Sequence, residues 1–220
     1  MNIQEFFSTL LHPESIIQYG GLLVLAFVIF AETGLFFGFF LPGDSLLFIA
    51  GLFCGTGQYF TNTPALFIES PIITILLALT LAGILGNYVG YWFGRKSGPV
   101  LFKKEDSWLF KKKYVVMAKD FYEKYGGAAL VLGRFMPIIR TFAPIFAGIV
   151  GVNFRKFTFF NILGSVLWIF SMTLSGYFLG KSFPQVKNYL EYIIIGIILL
   201  STVPVLIQFL KKRVRKRKLR

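Results

Sequence analysis

The chain reads as runs of apolar residues separated by short polar breaks. A membrane span needs about 20 apolar residues at a rise of about 1.5 Å each. Four runs meet that length: residues 16–41, 72–94, 157–180 and 189–210. Two further apolar stretches are interrupted. Residues 36–55 are broken by Leu41-Pro42-Gly43-Asp44, and residues 128–152 by Arg134, Pro137, Arg140 and Pro144. The segment 95–125 is polar and basic, with nine Lys/Arg and four Asp/Glu. Its apolar residues set among lysines (Trp108, Leu109, Phe110, Tyr114, Val115, Val116) predict an amphipathic helix on the membrane surface. The pattern predicts a single all-α membrane domain over 1–220, with a short N-terminal segment at 1–15 and a basic tail at 211–220.

Charge orients these elements. Residues 1–94 hold no Lys or Arg and five acids, a net of −5; residues 95–220 hold all 23 basic residues and the other five acids, a net of +18. Basic residues near span ends favour the cytoplasmic side. Residues 211–220 carry eight basic residues and 95–125 nine, so both are expected inside. Counting back from the tail, 189–210 runs outward to inward and 157–180 inward to outward, which leaves Arg155 and Lys156 inside. Residues 128–152 then begin and end on the same side, so they are predicted to dip into the membrane and return. Residues 36–55 are expected to form a matching hairpin from the outside, with Pro42 and Gly43 at its tip. The architecture is thus about four transmembrane helices plus two oppositely oriented re-entrant hairpins meeting near the midplane. Broken helices are tolerated at that depth only where protein or a water-filled cavity covers the backbone, and two such hairpins of opposite orientation resemble the inverted broken-helix design of secondary transporters. Similarity between the halves is faint: Pro42 with Ala50-Gly51, and Pro144 with Ala147-Gly148.

Composition narrows the function classes. The chain is 55% hydrophobic and only 15% charged, against about 25% charged in soluble domains. Its aromatics sit in apolar runs rather than among basic clusters, which argues against nucleic-acid binding. A single cysteine, Cys54, excludes a disulfide framework within the chain, and with a single histidine, His12, no metal site or cofactor is expected. No basic segment precedes the first apolar run, so no cleaved signal peptide is expected.

Four ionisable residues fall inside the interrupted or flanking apolar stretches: Glu32, Asp44, Arg134 and Arg140. A charge at a helix centre costs roughly 2.5–3.5 kcal/mol on insertion scales, so these residues are expected to face a cavity or one another. One reading is a pair of ion pairs that tie the hairpins together; the other is a polar site at the midplane, and both can hold. Pro42-Gly43-Asp44-Ser45 reads as a turn and helix start with Asp44 or Ser45 as N-cap. Burial and a neighbouring arginine act on a carboxylate in opposite senses, which makes Asp44 and Glu32 candidate proton-exchange sites. Arg134 and Arg140 suit an anion, because guanidinium presents a planar fork to phosphate. Pro137 is expected to fold the chain so that the two arginines meet, and Pro144 to start a second half-helix whose amides favour an anion.

Glycines recur at four-residue spacing: Gly34 and Gly38, Gly51 and Gly55, Gly86, Gly90 and Gly94, and Gly176 and Gly180. Small residues so spaced allow close helix contact in lipid. For Gly86–Gly94 this leaves both a contact within the chain and a homodimer open. The tail is read as a topological anchor that touches anionic lipid.

Phe30-Ala31-Glu32-Thr33-Gly34 followed by Phe40-Leu41-Pro42-Gly43-Asp44-Ser45-Leu46-Leu47 resembles the first signature of the DedA family of membrane proteins, also called the SNARE-associated or VTT domain. Gly133-Arg134-Phe135-Met136-Pro137-Ile138-Ile139-Arg140-Thr141-Phe142-Ala143-Pro144, with Ala147-Gly148, resembles the second. Phe121-Tyr122-Glu123-Lys124-Tyr125-Gly126-Gly127 matches as well, most closely the member that gives the family its name. One departure is Asn87, where several members carry Asp. The resemblance implies facing re-entrant hairpins and lipid transport dependent on the proton gradient, with undecaprenyl phosphate or phosphatidylethanolamine as cargo. It also implies that an acid pair, here Glu32 and Asp44, and an arginine pair, here Arg134 and Arg140, are needed for activity. The expected protein is a proton-coupled lipid translocase of the bacterial cytoplasmic membrane, with membrane phospholipid or polyprenyl phosphate and protons as partners. The alternative is a proton or ion antiporter with indirect lipid effects. An enzyme acting on lipid phosphate is disfavoured, because no histidine follows residue 12 and no repeated acidic metal motif occurs.

Overall fold

The computed structural model describes residues 13–35, 38, 41–57, 72–103, 122, 125–183 and 185. The predicted span at 189–210, the tail at 211–220, the loop at 58–71 and most of the amphipathic segment lie outside the described residues. Among the described residues the regular structure is helical throughout, with no strand. The helices are α1 (Pro13–Gly34), α2 (Gly43–Thr56), α3 (Ile72–Lys103), α4 (Ala128–Gly133), α5 (Pro137–Val150) and α6 (Phe154–Ser182).

Two helices have membrane length. Within α3, Ile72–Gly98 is a continuous apolar run, and α6 is apolar over Phe154–Ser182. At 1.5 Å per residue these cover roughly 40 Å and 44 Å, more than the ~30 Å hydrocarbon core. The predicted spans 72–94 and 157–180 are therefore both present as helices, the first running on to Gly98 and the second covering Phe154–Ser182. The α6 start is defined by Asn153, whose side chain accepts from the amides of Arg155 and Lys156 at 3.0 and 3.3 Å.

The first predicted span, 16–41, is not one helix. Its helix breaks at Gly21, where φ 56° and ψ −156° are accessible only to a residue without Cβ, and ends at Gly34. Tight turns then lead to Pro42, closed by Leu35 N–H to Ala31 O, Gly38 N–H to Leu35 O and Leu41 N–H to Gly38 O. Pattern reading fails here because phenylalanines continue the apolar run straight through the turn.

The two interrupted stretches share a design. Each contains a 14-residue helix, α2 or α5, that starts at a Pro-containing break. Each ends on a left-handed glycine, Gly57 (φ 65°) or Gly151 (φ 76°). Fourteen residues rise about 21 Å, too short to cross the core.

Glycines set how the helices meet. A Cβ on Gly51 or Gly55 of α2 would fall on the Thr173 or Tyr177 carbonyl of α6, and one on Gly176 or Gly180 of α6 on the Phe48 or Leu52 carbonyl of α2. The same reciprocity joins α3 to α5: Gly94 lies against the Ile145 carbonyl and Gly148 against that of Tyr91. Gly86 of α3 abuts Thr33 and Gly34 of α1. Lipid tails are as apolar as leucine, so such association rests on close van der Waals contact rather than on a hydrophobic drive. The Gly86–Gly94 face is thus used within the chain. The main core gathers Ile29, Leu46, Leu47, Ile49, Leu52, Leu79, Trp168 and Ile169, all fully buried, from α1, α2, α3 and α6. A second cluster stacks Tyr91 on Phe157 at 4.4 Å between α3 and α6.

Candidate functional site

The turn that ends α1 and the break that starts α2 bring Glu32 and Asp44 to one place. Glu32 sits in the last turn of α1, and Asp44 in the first turn of α2. Gly43 makes room for the Glu32 carboxylate, because a Cβ there would overlap it and push that side chain from its place beside Arg140. The predicted capping role is corrected: α2 begins at Gly43 with Pro42 as N-cap and no side-chain cap, so Asp44 and Ser45 lie inside the first turn. The Asp44 side chain is free to leave the helix end and reach α5.

There it meets Arg140. Its Nη1 donates to Asp44 Oδ1 at 2.6 Å, and its Nη2 to Glu32 Oε1. Arg140 is 3% exposed, Glu32 1% and Asp44 15% as side chains, so one buried cation holds two carboxylates. Around them, Thr141 Oγ1 donates to the Glu32 carbonyl at 3.1 Å. Trp168 of α6 donates from Nε1 to Asp44 Oδ1 at 2.8 Å and lays its ring 4.3 Å from the Arg140 guanidinium carbon. Two atoms within the cluster, Glu32 Oε2 and Arg140 Nε, are buried without a hydrogen-bond partner. In a native interior such groups are few.

Arg134 is treated differently. It follows α4 and is 4% exposed, yet its partners are neutral: Nη2 donates to Asn161 Oδ1 at 2.5 Å and Nη1 to Ser165 Oγ at 2.8 Å. Gly164 opens the space for it, since a Cβ there would lie 2.6 Å from Arg134 Nε. Asn161 is itself anchored by Nδ2 donating to the Ile84 carbonyl of α3 at 3.2 Å. The two guanidiniums bind separate partners rather than converging on one. The expectation of two ion pairs becomes one three-member pair and one arginine with no carboxylate among the described residues.

The helix start expected at Pro144 falls at Pro137 instead. Pro137 opens α5 at its first turn, and Pro144 lies within that helix rather than starting another. Lacking an N–H, Pro144 leaves the Arg140 carbonyl without its helical donor. Asn87 is buried on α3 and donates to the Gly83 carbonyl at 2.7 Å, a contact within its own helix. Outside the membrane-spanning helices, Tyr122 donates to the Ala143 carbonyl of α5 at 2.7 Å, and burial pushes its phenol above the ordinary value.

Sequence reasoning missed Asn161, Ser165 and Trp168. All three are fully buried. Their spacing, i, i+4 and i+7, puts them on one face of α6, and that polar stripe in an apolar helix was the available signal. The described residues include no group of His, Cys, Asp and Glu able to hold a metal ion.

Broken short helices that carry buried charges, packed on membrane-length helices, define an all-helical membrane protein with a polar centre. The chain belongs to the DedA family: the VTT domain model matches residues 21–178. It is 38% identical to Protein DedA of Escherichia coli over 190 residues, 86% of this chain and 82% of that one. It is 40% identical to an uncharacterized membrane protein of Mycobacterium leprae over 195 residues, 89% and 82% of the two chains. Inner membrane protein YqjA of Escherichia coli is 36% identical over 201 residues, 90% and 83%. No solved structure matches the chain.

Proposed function

We propose that the protein moves a phosphate-bearing lipid across the bacterial cytoplasmic membrane in exchange for protons, with no bond made or broken in the lipid. The observation that carries this reading is Arg134, a buried cation whose described partners are all neutral. A guanidinium kept from carboxylates retains its affinity for an anionic headgroup. Arg140 is the second anion-binding group, reached when its carboxylates release it. A proton arriving on Glu32 or Asp44 weakens that carboxylate's hold on Arg140, and a departing proton restores it. Proton movement and anion binding are thereby alternatives at one guanidinium. The lipid is of the undecaprenyl phosphate or phosphatidylethanolamine kind, and its tails stay in the bilayer.

The topology that accompanies this reading has four crossings, with α2 and α5 as the deep limbs of two re-entrant hairpins and the C-terminal tail in the cytoplasm. The 14-residue lengths of α2 and α5 and the Pro-containing breaks before them support it. The test is transport in proteoliposomes under an imposed pH gradient, with a panel of lipids. Wild type is expected to translocate, while Arg134→Ala and Arg140→Ala insert and do not. Wild-type rates in both variants would refute it. Proton flux that needs no phosphate lipid would favour an antiporter instead.

A further inference from the structure

A groove of about 560 Å³ runs along the outer face of α3, lined by Phe30 of α1 and by Leu85, Tyr88, Val89, Trp92, Phe93 and Lys96. The α3 positions form one helical stripe at i, i+3, i+4, i+7, i+8 and i+11. The stripe is apolar until its last member, the exposed lysine. Beside it, Arg95 donates to the Tyr91 hydroxyl at 3.0 Å and lies 5.8 Å from the Trp92 ring centre. Arg95 and Lys96 are the first basic residues of the chain, and an aromatic–basic group of this kind marks a membrane–water boundary.

From Lys96 to Leu85 the groove follows eleven residues, about 16 Å at 1.5 Å each. That is half of the ~30 Å hydrocarbon core, the depth of one leaflet. Its inner end lies at the level of the charge centre along the helices: Leu85 follows Ile84, whose carbonyl holds Asn161, the partner of Arg134, and Phe30 is about half a turn from Glu32 on α1. The groove and the centre are on different faces of those helices.

We infer that this groove is a berth for one anionic phosphate lipid, with its phosphate at Lys96 and a hydrocarbon chain laid along α3 toward Leu85. Charge complementarity selects the headgroup, and the leaflet-length apolar stripe selects the chain. The inference rests on the translocase reading in one respect: the berth is where cargo waits before it reaches Arg134.

The experiment measures retention of phosphatidylglycerol by the purified full chain in native mass spectrometry, with phosphatidylcholine as the neutral comparison. Wild type is expected to retain one phosphatidylglycerol. Lys96→Glu weakens that retention about tenfold or more and leaves phosphatidylcholine unchanged. Val89→Trp, which fills the groove, weakens both lipids, and monodisperse elution verifies that this variant is folded. Lys181→Glu, an exposed lysine at the end of α6, has no effect. Equal loss in Lys96→Glu and Lys181→Glu, or full retention in both groove variants, overturns the berth. A wild type that transports lipid while groove variants retain phosphatidylglycerol normally overturns the berth and leaves the translocase standing. A wild type that transports no lipid yet retains it in a Lys96-dependent way overturns the translocase and leaves the berth.

Discussion

Asn161→Asp is the sharpest perturbation of the site, because it changes charge and almost no volume. Asn161 Oδ1 accepts from Arg134 Nη2 at 2.5 Å, and both residues are buried. A carboxylate in that position meets the guanidinium directly. At an effective dielectric near 20, opposite charges about 4 Å apart attract by about 4 kcal/mol. Desolvating the new carboxylate costs several kcal/mol in return. Thermal stability therefore stays within about 2 kcal/mol of wild type, because these two effects nearly cancel. Anion binding has no such compensation. Arg134 becomes half of a neutral pair, and losing one charge-assisted contact of about 1.5–3 kcal/mol lowers phosphate affinity roughly 10- to 150-fold. The assay is lipid translocation in proteoliposomes, paired with a melting curve by fluorescence-detected size exclusion. The expected result is a folded protein that translocates at least about tenfold more slowly at limiting lipid. If Asn161 merely fills space, Asp serves equally well. Wild-type transport in Asn161→Asp refutes the view that Arg134 must stay unneutralised.

Two further predictions concern packing and the three-member pair. Gly94→Ala places a methyl on the Ile145 carbonyl and is expected to cost about 1–3 kcal/mol or more as an overpacking change; Gly57→Ala meets open space at φ 65° and is expected to cost about 1–2 kcal/mol through backbone strain alone. Melting curves of the two side by side check the order. Arg140→Ala strips the counter-charge from Glu32 and Asp44 and is expected to lower stability by about 3–5 kcal/mol. Glu32→Gln added to it restores part of that loss but no transport, and melting curves combined with transport read both.

The charged residues of the centre were accessible from sequence because charge in an apolar run has few explanations. Glu32, Asp44 and Arg140 do meet, across 108 and 96 residues of chain. What pairs with what was not accessible. It depends on which helix face looks inward, and faces are set by glycine contacts between segments far apart in sequence. Asn161, Ser165 and Trp168 escaped notice because each is unremarkable singly; only their common face makes them a wall of the site. The break at Gly21 was hidden for a different reason. A glycine in an apolar run is read equally well as a packing contact, and only the backbone angles separate that from a bend. Asp44 as a cap was a local inference that tertiary structure overrode: the carboxylate is drawn to Arg140, and the N-cap falls two residues earlier, at Pro42.

The glycine contacts carry a consequence for how the chain came together. Helix α2 precedes α3 yet packs on α6, and α5 precedes α6 yet packs on α3. Each half lends its short helix to the long helix of the other half. Within the first half α1 and α3 do meet, at Gly34 and Gly86, but neither half buries the glycine face of its own short helix. A chain cut between α3 and α4 would leave each half with a short helix and a long helix that do not pair, so the halves are expected to complete these contacts only by associating. The acids gather around the first short helix and the arginines around the second, so that association is also what brings Arg140 to Glu32 and Asp44.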